Sequence, residues 1–231
     1  MGKTDTGQET LEIMEGAKFY NDWTLSFFVN YLEGEILEIG GGIGNFTKLL
    51  TNFGKVTSIE VEKNYIPRIR KTTKGKASAG LGNIEKGEYF FKSKNFDTAI
   101  MINVLEHIKD DTAAVSNINK LLKKSGVAVI LVPAHQALFS KMDKNLGHHK
   151  RYTTKSLNLI LKDNGFKILE TRYLNIFGML GWFVNGKILK KEIIPGNQLR
   201  FFDIVFRPVL LLEKIVKFPF GLSVLTIAEK K

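Results

Sequence analysis

The chain has no cysteine among its 231 residues. This excludes disulfides, thiolate metal sites and a cysteine nucleophile. The opening segment, MGKTDTGQETLEIMEG, lacks an apolar core of signal-peptide length, so the chain reads as non-secreted and cytoplasmic. The apolar stretch IFGMLGWFVNGKIL (176–189) is interrupted by glycines and falls short of the roughly 20 residues needed to span a bilayer. Two phosphate-binding signatures are also missing. A G-x-G-x-x-G fingerprint would need a glycine at position 45, which is Asn45, and no G-K-[ST] follows the glycine-rich run.

What is present suits a globular chain. Hydrophobic residues make up 44% and charged residues 25%, so 1–231 reads as a single domain with a sizeable core. The formal net charge of +11 is unevenly spread. Residues 1–137 carry 17 Lys and Arg against 16 Asp and Glu, whereas residues 138–231 carry 17 against 7. An anionic partner would therefore meet the second half, unless these lysines are only a solvated surface.

Short β-branched runs alternate with helical stretches. EILEIG (35–40), KVTSIEV (55–61), FDTAIMIN (96–103) and VAVILVPA (127–134) predict buried strands, with a weaker one at 77–82. Their near-continuous apolar character fits a parallel sheet covered on both faces. Residues 45–53, 62–71 and 110–124 predict helices, the last stopped by Ser125-Gly126. After a long loop over 135–152, Thr153 and Thr154 cap a helix ending at Gly165, and 167–175 and 222–230 predict two final strands. This is the order of a doubly wound α/β fold.

The segment between the last two strands, 176–221, is longer than an ordinary connection, which marks it as a functional insertion. In its second part, Arg200, Asp203, Arg207, Lys214 and Lys217 share one side of a helical wheel. Phe201, Phe202, Val205, Val209, Leu212 and Val216 face the other way, and Pro208 is placed to kink or break the helix. Such a segment packs on its own domain, lies at a membrane surface or walls a greasy pocket.

Glu38-Ile39-Gly40-Gly41-Gly42-Ile43-Gly44 ends the first strand and opens the first core helix. Glycines there let the backbone turn sharply and approach a ligand. Glu60 closes the second strand about 20 residues after Gly40, where a carboxylate can accept from both hydroxyls of a ribose.

LEIGGGIGNFTKLL, VTSIEVEKNY, FDTAIMINVLEHIKDD and LLKKSGVAVILVPA, in that order, resemble a class I (Rossmann-like) S-adenosylmethionine-dependent methyltransferase. The resemblance implies a mostly parallel seven-stranded sheet with helices on both faces, the last strand antiparallel and a helical insertion before it. It implies N-terminal cap helices over 1–34, a cofactor-binding core over 35–134 and a substrate-side half over 135–231. Gly40, Gly42 and Gly44 would line the methionine part of S-adenosylmethionine, Glu38 would hold its amino group and Glu60 its ribose. Asn83 stands where the family usually carries an acid near the adenine, Asn103 would sit beside the sulfonium, and Tyr20 with Trp23 would cap the cofactor or simply pack their helix.

NVLEHIKD resembles the small-molecule branch, which includes methyltransferases of quinone and of glycan or lipid biosynthesis. Ribosomal RNA adenine dimethylases instead carry N-P-P-[YF] where this chain has Asn103-Val104-Leu105-Glu106. That departure counts against a flipped nucleic-acid base, although the basic second half keeps an RNA acceptor as the alternative. Asp143 to Thr153 resembles the branch's D-x-x-L-G-H-x-[KR]-R-Y-T segment. There His148 or His149 would take the acceptor's proton, with His107 as another candidate, and Arg151, helped by Lys150, would bind an anionic part of a small or lipid-linked acceptor. The histidines equally suit a loop-holding role. His135, Asp143, His148 and His149 lack a compact ligand spacing, so no metal site is assigned.

Overall fold

A computed structural model of the chain describes residues 6–92, 95–191 and 207–231. The predicted strands form one sheet, ordered β4-β3-β2-β1-β5-β6-β8-β7. The strands are β1 (Glu35–Ile39), β2 (Lys55–Glu60), β3 (Ser78–Asn83), β4 (Glu88–Tyr89), β5 (Phe96–Ile102), β6 (Leu122–Pro133), β7 (Phe166–Leu174) and β8 (Ser223–Lys230). The sheet thus has eight strands rather than seven, because β4 folds back antiparallel on β3 as a two-residue edge hairpin. The first strands pair in parallel, and β8 lies antiparallel to both β6 and β7.

Strand alternation sorts the apolar side chains into two cores. On β1, Ile36 joins one core and Leu37 and Ile39 the other; on β6, Val129 and Leu131 oppose Ala128, Ile130 and Val132. Helices α5 (Asp111–Leu121) and α7 (Thr154–Asp163) cover one face. The opposite core takes Trp23 and Leu25 from α2 (Lys18–Leu25), which follows α1 (Thr6–Glu15), and Leu50 from α3 (Asn45–Leu50). Register then aligns the functional ends. Ile39 pairs with Ile59 on one side and Met101 on the other, so Gly40, Glu60 and Asn103 emerge together at the carboxyl edge.

Several boundaries differ from the sequence reading, beginning with α3, which ends at Leu50 rather than at 53. Helix α5 ends at Leu121, not at Ser125-Gly126. Leu122 is buried in the core and pairs with Phe96, so core burial turns the chain into strand early. The predicted helix over 62–71 starts with one 3-10 turn, Lys63–Tyr65, before α4 (Ile66–Thr72). The loop 135–152 contains a short helix, α6 (Lys141–Asn145), whose N-terminus is closed by Ser140 and Asp143.

The insertion opens with α8 (Ile176–Phe183) and a π-helical turn, Val184–Ile188. It returns through α9 (Arg207–Leu212), which carries Pro208. Arg200, Phe201, Phe202, Asp203 and Val205 lie outside the described residues. Of the predicted apolar face, Leu212 and Val216 are 47% and 40% exposed, whereas Leu210 and Glu213 are buried. The reason is polar: the Glu213 carboxylate accepts the backbone N–H groups of Asn175 at 2.6 Å and Ile176 at 2.9 Å, at the start of α8. No helix among the described residues is long and apolar enough to cross a membrane.

Candidate active site

A cavity of about 690 Å³ opens along the carboxyl edge of the sheet. That size suits a small-molecule site. One end is built by the glycine-rich turn after β1. Gly40 and Gly42 have φ of +75° and +54°, a region that disfavours side chains. A Cβ on Gly40 would overlap Val104, and one on Gly41 would overlap Ser58. The turn is pinned by the Gly40 N–H donating to Ile59 O at 2.8 Å and the Gly42 N–H donating to the Glu60 carboxylate at 2.7 Å.

Glu38 stands behind this turn, 4% exposed, and accepts hydroxyl hydrogen bonds from Thr47 at 2.5 Å and Ser58 at 2.7 Å. Burial nevertheless pushes its carboxyl up to about 7. Glu60 uses its two oxygens on Gly42 and Glu62 backbone N–H groups and also borders the cavity. Asn83 and Asn103 line the same end. Asn103 takes φ +53°, which asparagine tolerates better than most residues. Tyr20 reaches the wall from α2, and burial pushes its hydroxyl pKa up. Gly44 is not on the wall: at φ +94° it starts α3, and a Cβ there would crowd Ile69 and Thr72 of α4.

The segment containing His148 is fixed beside β6. Tyr152 bridges Ala134, its N–H donating to Pro133 O at 2.9 Å, while the His135 N–H donates to Tyr152 O at 2.8 Å. The Tyr152 hydroxyl donates to Asp111 at 3.0 Å, and Lys150 also pairs with Asp111, at 2.5 Å. Arg151 is buried: its Nε donates to Asp143 at 2.7 Å, one terminal nitrogen donates to Ala134 O at 3.1 Å, and its guanidinium lies 4.6 Å from the Trp182 ring centroid. Lys150 and Arg151 are thus engaged with protein carboxylates.

His148 and His149 part company. His148 lines the cavity and places Nδ1 3.0 Å from Asp143 Oδ1. His149 is exposed and absent from the wall, while its N–H donates to Glu106 O at 2.8 Å. His107 lines the cavity with its ring 4.7 Å from that of His148, edge to face. The protein packed around the His107 ring, and then His148, push its imidazole down to about 4. His135 lies off the wall, stacked on Tyr173 at 4.8 Å.

Two residues here were not singled out as site residues in the sequence. Asp143 is fully buried. Burial works to raise its carboxyl, but hydrogen bonds from His148 and Arg151 outweigh this and hold it at about 2. Glu106, beside His107, is 0% exposed and faces His148 Nε2 at 3.9 Å. Neither of its carboxylate oxygens has a hydrogen-bond partner among the described residues, and burial pushes the group up to about 8. Its only sequence signal was its place in NVLEHIKD.

The glycine cradle, the strand-end carboxylate and the buried Glu38 suit a nucleoside joined to a cationic amino-acid end, which is the chemistry of S-adenosylmethionine. Comparison with known proteins agrees. A relative from Methanocaldococcus jannaschii, described as uncharacterized, is 27% identical over 147 residues, covering 63% of this chain and 60% of that protein's length. The fold matches the structure of a Haloferax volcanii putative methyltransferase in complex with the Trm112 activator, with a TM-score of 0.68, 14% identity and coverage of 100% of this chain and 98% of the other. It also matches the N-methyltransferase NodS of Bradyrhizobium japonicum WM9, solved with S-adenosyl-L-homocysteine, with a TM-score of 0.59, 17% identity and coverage of 91% and 85%. The "Methyltransferase domain" family matches residues 14–171, so the chain belongs to that family, the class I S-adenosylmethionine-dependent methyltransferases, with S-adenosylmethionine as cofactor.

Proposed function

We propose that this chain transfers a methyl group from S-adenosylmethionine to an oxygen of a small or lipid-linked acceptor. One observation carries the reading: a single cavity joins the glycine turn and Glu60 at one end to Glu106, His107 and His148 at the other. When bound, S-adenosylmethionine supplies a methyl group on a cationic sulfonium with a good leaving group. The protein's part is then to align the acceptor and receive its proton. A hydroxyl must lose that proton as the new bond forms, and the second end of the cavity gathers proton-accepting groups for it. Among the histidines, His148 fits best, because Asp143 orients its ring and leaves Nε2 toward Glu106. Arg151 serves by neutralising Asp143.

The lipid-linked part of the proposal rests on the insertion. Trp182 lines the cavity, while Leu180, Phe183, Val184 and Ile188 around it, and Leu211, Leu212, Ile215 and Phe220 on the return, are exposed. Exposed apolar groups in such number suit an acyl or prenyl chain or a membrane surface. Lys187, Lys214 and Lys217 in the same segments suit an anionic headgroup.

The test incubates the protein with extract and S-adenosylmethionine labelled in its methyl group, then counts lipid, aqueous, protein and nucleic-acid fractions. Label in the lipid or aqueous fraction is expected. Label in nucleic acid would favour the reading drawn from the basic second half, and that binding should weaken steeply with salt.

A further inference from the structure

Glu106, His107 and His148 each offer one ligand atom, and the three atoms lie within 4.8 Å of one another. All three residues border the cavity. His107 is adjacent to Glu106, but His148 stands 42 positions from Glu106 and 41 from His107, so the set is assembled by the fold and has no spacing to read. Two observations point to a missing positive partner. First, both Glu106 oxygens are buried and, among the described residues, without a hydrogen bond. A buried carboxylate is normally satisfied, and leaving one bare is costly. The nearby cation does not meet the need, since the Arg151 Nε is committed to Asp143 at 2.7 Å.

Second, His148 is held as a ligand histidine is held. Its Nδ1 lies 3.0 Å from Asp143 Oδ1, and Asp143 is kept anionic by Arg151. A proton on Nδ1 shared with that carboxylate leaves Nε2 as a free lone pair. A carboxylate behind the ring fixes tautomer and orientation for a metal in this way. Nε2 is the atom turned toward Glu106, 3.9 Å from Oε1.

We propose that Glu106, His107 and His148 form a binding site for a divalent first-row metal ion, such as Zn²⁺, Mn²⁺ or Co²⁺, at the acceptor end of the cavity. One carboxylate and two imidazoles are borderline N/O donors, which suit these ions. Ligand atoms about 2 Å from a shared ion stand roughly 3 to 3.5 Å apart, so closure asks for ring shifts of about 1 Å. Three protein ligands leave coordination positions open toward the cavity. The inference rests on the acceptor reading and changes His148's part in it: with His148 Nε2 on the ion, an acceptor oxygen held at an open position would lose its proton to water under the metal's charge rather than to that imidazole.

The test uses the full chain without an affinity tag, stripped with a chelator and titrated with Co²⁺ while visible absorption is recorded. Binding of S-adenosyl-L-homocysteine to the same protein is measured by calorimetry. One Co²⁺ per chain is expected, displaced by Zn²⁺. Glu106→Gln and His148→Ala should each weaken Co²⁺ binding tenfold or more, with homocysteine-cofactor binding retained as the check on folding. His107→Ala, at an exposed position, gives a third variant where a buried substitution unfolds the chain. Exposed His149→Ala should leave Co²⁺ binding unchanged. Absence of saturable Co²⁺ binding, or equal binding by wild type and the three ligand variants, would overturn the site. Retained S-adenosyl-L-homocysteine binding in that case would leave the methyltransferase reading standing, whereas its loss from the wild type would count against that reading instead.

Discussion

The indole N–H of Trp23 donates to the carbonyl of Leu210, 2.5 Å away and 187 positions along the chain. The bond ties α2 to α9, and one residue-turn on, Glu213 ties α9 to the start of α8. Tyr20 and Asn175, on elements joined by these bonds, both border the cavity. Trp23→Phe keeps an aromatic ring in the core but strands a buried carbonyl. The expected cost is about 1–3 kcal/mol, read as a lowered urea midpoint with an unchanged slope. An unchanged midpoint would mean that water reaches Leu210 O.

Cofactor affinity should depend on pH through Glu38. Its carboxyl is pushed up to about 7 by burial, so below that pH the free protein holds it mostly neutral. A cationic amino group favours the ionised form, helped by the Thr47 and Ser58 hydroxyls that already donate to it. Affinity for S-adenosyl-L-homocysteine should therefore rise as pH rises toward 7 and level off above it, with up to about a tenfold loss per unit below. Calorimetry across this range checks the curve, and Glu38→Gln should flatten it while weakening binding at high pH.

Asp143 has the opposite sign. Its carboxyl is held at about 2 against an ordinary 3.8, so it contributes stability that is fully present above about 4 and is lost as pH falls toward 2. That shift corresponds to about 2 kcal/mol. Asp143→Asn removes the charge facing buried Arg151 and frees His148 from its orienting partner. A loss of about 3 kcal/mol or more at neutral pH is expected, together with a flatter acid limb in the denaturation midpoint. A variant as stable as wild type would mean that Arg151 finds another counter-charge.

The sheet was legible because its inner strands are apolar on both faces, which leaves a continuous signal such as VAVILVPA, and the glycine turn was legible because its constraint is local. The β4 hairpin was not, since two residues at an edge carry no periodicity. The end of α5 was misplaced because burial of Leu122 overrode a plausible Ser-Gly stop. At the site, neighbouring histidines read alike in sequence. Only the backbone pairing of His149 with Glu106 and the Asp143 contact of His148 decide which one meets the cavity. Glu106 passed unremarked because its isolation depends on what the fold withholds from it. Arg151 looked like a free cation until Asp143 was placed against it.

The exposed insertion surface makes the last prediction. Ile215 is 84% exposed and Leu189 55%, so neither contributes to the core, and changing them should not move the thermal midpoint. If this surface meets an acyl layer, each side chain that enters it contributes up to about 1.5–3 kcal/mol, and Lys214 and Lys217 add attraction to anionic lipid. Wild-type protein should therefore sediment with vesicles containing phosphatidylglycerol and much less with purely zwitterionic ones. Ile215→Glu combined with Leu189→Glu should cut anionic-vesicle binding tenfold or more, because the new carboxylates both resist burial and repel the headgroups. S-adenosyl-L-homocysteine binding by the same variant should stay at the wild-type level, since neither residue borders the cavity. Equal sedimentation of variant and wild type would confine the insertion's role to the cavity wall at Trp182.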